Sequence, residues 1–334
     1  MDSTSSLPET YKALVKVKPG ETPKIETFPL LKPGDNQILV KVAFAPIHPS
    51  DIYSMTGQYA RPGDPNIPLV GFEGSGTVVA LGENLKIPFT IGQKVHLRGP
   101  GTYGQYILVE TNAAYPVQGD LSLEQAAPHG SNPGTVVYMG LLAQRGGHKA
   151  AIHTAGSSAL GRMLIRYFKE KGIKLINIVR RDDFTQELKD EGADYVLNST
   201  APDFEAQLKE IAEKEQATIA FDAIAGDFTS KVVTALPAGS ICYIYGGLGG
   251  RTLPSISIME LFKGKTITAF SVAHYMQELA KTGKTREVFS EIHTKLDTTF
   301  KSNIQKIFKL DDIVEALAYY EKNSSKGKIL LQPN

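Results

Sequence analysis

Between residues 149 and 181 the chain passes from an apolar stretch, KAAIH, through a small polar turn, TAGSSA, into a segment with apolar positions at Leu160, Met163, Leu164, Tyr167 and Phe168. The i, i+3, i+4, i+7, i+8 spacing predicts a helix with one face laid on a sheet. A second apolar run, KLINIV, follows and ends on Arg180 and Arg181. Strand, turn, helix and strand in this order make a βαβ unit. Upstream, short β-type runs at 13–17, 37–44 and 75–81 are punctuated by Pro and Gly, which predicts a compact β-rich domain with long loops. From residue 123 the texture changes to alternating helix and strand, with strands at 194–197, 218–222 and 240–245 and a helix at 203–214. That alternation predicts a doubly wound parallel sheet, with 266–270 as a further edge strand. An amphipathic helix at 311–321 precedes a last strand, 328–332, expected to rejoin the first domain. The fold class is therefore α/β: a β-rich domain from residues 1–122 and 272–334, and a parallel-sheet domain from residues 123–271.

Composition narrows the function. The 334 residues carry 36 Lys plus Arg against 35 Asp plus Glu, a net charge of +1, which gives no general field for nucleic acid or an anionic membrane. No apolar run approaches the roughly 18 residues of a membrane helix, so no membrane span is expected. The first ten residues, MDSTSSLPET, hold two acidic residues and no arginine, unlike a signal or transit peptide. Cys242 is the single cysteine, so neither an intrachain disulfide nor a thiolate zinc cluster is expected, and the chain reads as made for a reducing compartment, cytoplasm or mitochondrial matrix. None of the seven histidines is spaced as a metal pair. His48, His129 and His153 read as loop or core residues, and no metal is expected.

The turn of the βαβ unit carries the chemistry. Gly156, Ser158 and Gly161 occupy the three positions of a G-x-G-x-x-G fingerprint, with Ser in place of the middle glycine. Such a turn brings backbone N–H groups to a helix N-terminus, where donors and dipole suit a pyrophosphate. Ser158 and Ala159 add side chains there; the Ser158 hydroxyl either donates to the phosphate or narrows its approach, and Leu160 completes the turn. About 20 residues on, where an acidic residue would bind the ribose 2′-hydroxyl of NADH, the chain places Arg180 and then Arg181. A guanidinium grips a 2′-phosphate bidentately and stacks on adenine, so NADPH is the expected cofactor. Asp182 and Asp183 are the competing candidates, although Asp183 with Gln186 also fits a capping box opening a helix over 184–191.

Beyond this unit, Pro68 to Gly82 reads PLVGFEGSGTVVALG and is followed by Ile91-Gly92-Gln93-Lys94-Val95. With Pro49-Ser50-Asp51, Gly57-Gln58-Tyr59, Asn132-Pro133-Gly134-Thr135, Gly192-Ala193-Asp194, Phe221-Asp222 and Gly327-Lys328-Ile329, in order along nearly the whole chain, it resembles the medium-chain dehydrogenase/reductase superfamily in its zinc-free quinone oxidoreductase and 2-enoyl thioester reductase branch. The resemblance implies a Rossmann-type NADPH-binding domain and a GroES-like catalytic domain. Zinc alcohol dehydrogenases of the superfamily carry Gly-His-Glu where this chain has Gly71-Phe72-Glu73, and a phenylalanine cannot ligate metal. Asn132-Pro133-x-Thr135, Val179-Arg180 and Tyr245-Gly246-Gly247 are similar to the enoyl thioester reductases. By that resemblance Tyr59 is the proton donor, with Tyr53 in reserve, and Asn132, Thr135, Tyr245, Gly246 and Gly247 join the cofactor site. Gly249 belongs to the same glycine-rich connection, and His48 stands where the family often has an asparagine facing the nicotinamide ribose. A phenol titrates near ~10 and so keeps its proton at neutral pH, ready for a developing enolate. The expected activity is NADPH-dependent reduction of a quinone, an enone or an enoyl thioester. The alternative is a catalytically quiet NADPH-binding sensor or a subunit of a larger assembly. A homodimer is expected through the edge strand at 266–270, which would pair with its symmetry mate.

Overall fold

The computed structural model describes residues 7–59, 68–250 and 252–334, and the chain divides into two compact units, Met1–Ser131 with Lys284–Asn334, and Asn132–Gly283. The first unit opens with an antiparallel pair, β1 (Thr10–Val15) and β2 (Lys24–Pro29). There follow β3 (Gln37–Pro46), α1 (Pro49–Met55), β4 (Glu73–Leu81), β5 (Lys94–Arg98), β6 (Tyr106–Glu110), β7 (Ala114–Pro116) and α2 (Leu123–Ala126). Ile38, Val40 and Val42 alternate along β3 and pack on Val78, Val95, Leu97, Ile107 and Val109. Each such side chain, fully buried, contributes roughly 1.5–3 kcal/mol.

Helix α3 (Ser131–Arg145) leads into the second unit, which contains β8 (Ala150–His153), α4 (Ala159–Glu170), β9 (Lys174–Val179), α5 (Thr185–Asp190), β10 (Tyr195–Asn198), α6 (Phe204–Lys214), β11 (Ile219–Asp222), α7 (Asp227–Ala235), β12 (Ile241–Ile244), α8 (Ile258–Phe262), β13 (Thr266–Ala269) and α9 (Val272–Lys281). The strands form a parallel sheet in the order β10-β9-β8-β11-β12-β13. From β8 the chain winds outward through β9 and β10, then crosses back to β11, so strand order reverses between β8 and β11. Open α/β sheets bind their ligands outside the carboxyl ends at such a switch point. Met163, Leu164, Tyr167 and Phe168 of α4 are buried as their spacing requires, and Leu208, Val232 and Val233 of α6 and α7 join Ile152, Ile176, Ile178, Ala220 and Cys242 in one core. Helix α9 packs within this unit: Tyr275 stacks on Tyr138 of α3 with ring centroids 4.1 Å apart.

The chain then returns to the first unit through α10 (Thr285–His293), β14 (Ile304–Lys309), α11 (Ile313–Asn323) and β15 (Lys328–Gln332). As expected from its apolar run, β15 rejoins the β-rich unit, parallel to β14 and antiparallel to β3. The helix expected over 184–191 is different in form. A 3₁₀ turn, Asp182–Phe184, precedes α5, and no side chain caps its start. The Asp183–Gln186 capping box is thus not made: Gln186 donates to Asp190 instead (2.8 Å), while the buried Phe184 ring draws the chain inward and takes the guanidinium groups of Arg162 and Arg181 over its face. No helix among the described residues is long and apolar enough to cross a membrane.

Candidate functional site

Strand β8 ends in a turn folded directly onto the first turn of α4. A Cβ on Gly161 would lie 2.3 Å from the Gly156 carbonyl oxygen, so only glycine lets the two approach. Ser158 is the N-cap of α4, its hydroxyl oxygen accepting from the Gly161 amide at 3.1 Å. The serine in the fingerprint therefore fixes the helix start. Ala159 and Leu160 form the first helical positions, half-buried beside it. This cradle, with a helix N-terminus opening on it, fits a pyrophosphate.

Arg180 and Arg181 follow β9, the neighbour of β8, and both are exposed. Arg181 lies 3.4 Å from Asp183 and over the Phe184 ring. Asp182 accepts from Asn198 at 2.9 Å. Both aspartates that competed for the ribose are thus engaged with neighbours. Beneath them Arg162 bridges Glu187 and Glu191, and Arg166 also holds Glu191, tying α4 to α5.

On the far side of the switch point stands Asp222, the last residue of β11, whose role the sequence did not disclose. One carboxylate oxygen accepts from the Thr154 hydroxyl and the Ile224 amide, both at 2.8 Å, and the other from the Thr229 hydroxyl at 2.5 Å and the Ala225 amide at 3.2 Å. An aspartate closing an apolar strand and followed by small residues was the available signal. The loop after β12 hangs on this hub: Tyr245 N–H donates to the Asp222 carbonyl, and Leu248 and Gly249 donate to Ala223 and Ile224. Tyr245 turns inward, its hydroxyl 2.7 Å from His153 Nε2 and its ring stacked on Phe270. Burial pushes His153 down to about 3, so the ring beside the phenol is neutral. Burial and the Asp222 charge push the Tyr245 phenol up. Gly246 and Gly247 follow, half-buried, while Asn132 and the buried Thr135 lie in the opening turns of α3.

The first unit gathers the other candidates. His48 is the buried N-cap of α1, and Tyr53 lies on that helix. At the helix end Gly57 adopts φ 67, a left-handed turn that lets both Gln58 and Tyr59 donate their amides to the Tyr53 carbonyl, at 2.8 and 3.1 Å. Tyr59 is thereby tied, half-buried, to the residue that was its reserve. Both ring nitrogens of His48 are engaged within this unit: Nε2 lies 2.5 Å from Glu73, and Nδ1 lies 3.0 Å from Lys328. Burial alone would raise the Glu73 carboxyl, but His48, His129 and Lys328 outweigh it and hold it below the usual range. Nearby, His96, His129 and His293 form a buried cluster of stacked and tilted rings, with His96 and His293 centroids 4.2 Å apart. Burial pushes His96 to about 4 and His129 to about 3. Among the described residues no group of three or more His, Cys, Asp or Glu is arranged to hold a metal ion.

The chain matches the alcohol dehydrogenase GroES-like domain over residues 34–119 and the zinc-binding dehydrogenase family over residues 191–331. It is 30% identical to a protein of Mesorhizobium loti provisionally named an NADPH:quinone reductase, whose structure superposes with a TM-score of 0.84 over 98% of this chain and 100% of that one. The chain belongs to the medium-chain dehydrogenase/reductase superfamily. Within it, the present oxidoreductase lies in the zinc-free quinone oxidoreductase and enoyl reductase branch. A mitochondrial enoyl-[acyl-carrier-protein] reductase of Arabidopsis thaliana is 26% identical over 80% of this chain and 72% of its own length. The fold of an Escherichia coli quinone oxidoreductase, solved with NADPH, superposes with a TM-score of 0.81 at 24% identity over 97% of this chain and 100% of that one. The GroES-like match, residues 34–119, falls within the first unit.

Proposed function

We propose that this protein uses NADPH to reduce a quinone or an α,β-unsaturated carbonyl, an enone or 2-enoyl thioester, without zinc. The observation that carries the reading is the exposed Arg180 and Arg181 pair at the end of β9, beside the turn at the α4 N-terminus, with Asp182 held by Asn198 and Asp183 in an exposed pair with Arg181. NADPH, when bound, supplies a hydride from the nicotinamide ring. Gly156, Ser158, Ala159, Leu160 and Gly161 hold its pyrophosphate, and Arg180 and Arg181 bind the 2′-phosphate. Asn132, Thr135, His48 and the Tyr245–Gly246–Gly247 segment position the nicotinamide half. Tyr59 hydrogen-bonds the developing enolate and protonates it, with Tyr53 as the second candidate; a quinone needs no such dedicated acid.

The test is a fluorescence titration of chelator-treated protein with NADPH and NADH, followed by turnover with enones, enoyl thioesters and quinones. Tight NADPH and weak NADH binding with turnover supports the proposal. Equal affinity for the two cofactors removes the phosphate-reading role of the arginines. Retained NADPH binding without turnover on any acceptor supports the sensor or accessory-subunit reading instead. The protein is also proposed to be a homodimer. Among the described residues strand β13 is one of the two edge strands of its sheet, and Leu253 and Phe262 before it are 89% and 75% exposed. Sedimentation at micromolar concentration showing only monomer rejects the dimer.

A further inference from the structure

Of the tyrosines proposed as acids, Tyr53 rides on a helix of 7 residues, too short to hold its own position, and Tyr59 is tied by its amide to the Tyr53 carbonyl. What anchors its start is a buried chain of charge. Lys328, the first residue of β15, places Nζ 3.0 Å from His48 Nδ1, and His48 Nε2 lies 2.5 Å from Glu73. An ammonium can only donate, so Nδ1 is the acceptor and Nε2 carries the proton given to Glu73. The other Glu73 oxygen accepts the amides of Gly130 and Ser131 at 2.8 and 2.7 Å. The backbone of His48 is fixed as well: its N–H donates to Asp51 at 3.2 Å, and Asp51 also accepts from the Tyr103 hydroxyl at 3.0 Å. At the other end of α1, the Tyr53 carbonyl receives Tyr59.

We propose that Lys328, acting through His48, is a positioning residue that fixes the helix to which the proton-donating tyrosine is tied. The catalytic consequence rests on the reductase reading; the structural one does not. His48 has no ring nitrogen left over to act on a substrate, so its part is to transmit the position of Lys328 and Glu73 to α1. The charge matters because Glu73 is buried and needs a cation. Glu73 on β4 and Asp51 on α1 face Lys328 and favour its ammonium, while burial opposes it more strongly and brings it down to about 8. Around the two carboxylates stand His96 and His129 near Glu73, and Tyr103 and Tyr320 of α11 near Asp51, with Tyr53 near Tyr320. Once the ammonium is neutralised, the anion at the end of the chain loses its balancing charge, and α1 loosens.

The test compares wild type with K328M, K328R and H48Q, whose amide can accept from Lys328 and donate to Glu73 as the ring does. One readout is hydrogen exchange of residues 49–58 between about pH 7 and about pH 9.5, corrected for the intrinsic rate. The other is the pH profile of kcat and KM with an enone. In wild type, exchange of this segment is expected to rise about fivefold and kcat to fall as pH passes about 8, with KM steady. K328R keeps its charge and shows neither change. K328M exchanges freely at every pH, with kcat about tenfold lower, and H48Q protects 49–58 as wild type does in the exchange readout. The proposal fails if K328M protects 49–58 as wild type does, or if the alkaline limb and the loosening persist in K328R. Should wild type reduce no enone, the proton-donor reading falls, and the exchange readout still decides the role of Lys328. If K328M does not fold, wild type against K328R decides it.

Discussion

Substituting Asp222→Asn keeps the size of the hub residue and removes one acceptor. If the amide oxygen faces Thr154 and Ile224, both keep their bonds; the new NH₂ then faces Thr229, whose hydroxyl can turn to accept it, and the Ala225 amide, which cannot. The flipped amide is worse. It sets NH₂ against the Ile224 N–H and against a Thr154 oxygen already accepting from Ala223 at 2.7 Å. One buried N–H thus loses its partner, costing about 1–3 kcal/mol, and the remaining bonds lose their charge assistance. Ala225 is also a non-glycine residue at φ 67, so without that bond it has reason to relax. The Leu248–Gly249 segment, bonded to Ala223 and Ile224, moves with it. Urea unfolding should show about 2 kcal/mol lost, and NADPH titration a Kd about tenfold weaker with the NADPH-to-NADH ratio unchanged. An unfolding midpoint and a Kd both equal to wild type would refute the hub argument.

Replacing Arg180 and Arg181 together by Ala should weaken NADPH about 30-fold, or about 2 kcal/mol, because each exposed, salt-screened guanidinium contributes about 1 kcal/mol beside a phosphate; NADH affinity, measured in parallel, should not move, and equal losses would defeat the assignment. Tyr59→Phe should lower kcat for an enoyl substrate about 100-fold or more while affecting quinone turnover far less, and parallel loss of both would remove Tyr59 as the acid. Stability should fall as pH drops from about 6.5 towards about 4, since the unfolded chain takes up protons on imidazoles that the folded chain keeps neutral at His96, His129 and His293. Urea midpoints measured across that window check it: His293→Phe should flatten the slope, and a flat wild-type profile contradicts the argument.

Much of the parallel-sheet unit was legible because its signals are local. The i, i+3, i+4 pattern of α4 and the apolar runs of β8 and β9 each lie within a dozen residues, and their ends fall within one or two residues of expectation. The 3₁₀ turn at Asp182 was not legible, because it is set by Phe184 packing inward rather than by the polar residues that suggested a cap. The sequence leaves open whether Ser158 donates to the phosphate or narrows its approach; the structure gives its hydroxyl a third role, accepting from the Gly161 amide. The surroundings of His48 were out of reach for a different reason. Its partner Lys328 is 280 residues away, and nothing in the adjacent sequence records that contact.

The return of β15 also dictates an order of events during synthesis. Its pairing with β3 joins Leu330 to Pro46, so the first unit stays short of a central strand until residues 328–332 have left the ribosome. The intervening unit, Asn132–Gly283, is continuous in sequence and can complete its sheet much earlier. For most of translation β3 therefore presents an unpaired edge at Ala45 and Pro46. Slow translation or truncation near residue 328 should thus appear as aggregation through the β-rich unit, with the parallel sheet already formed.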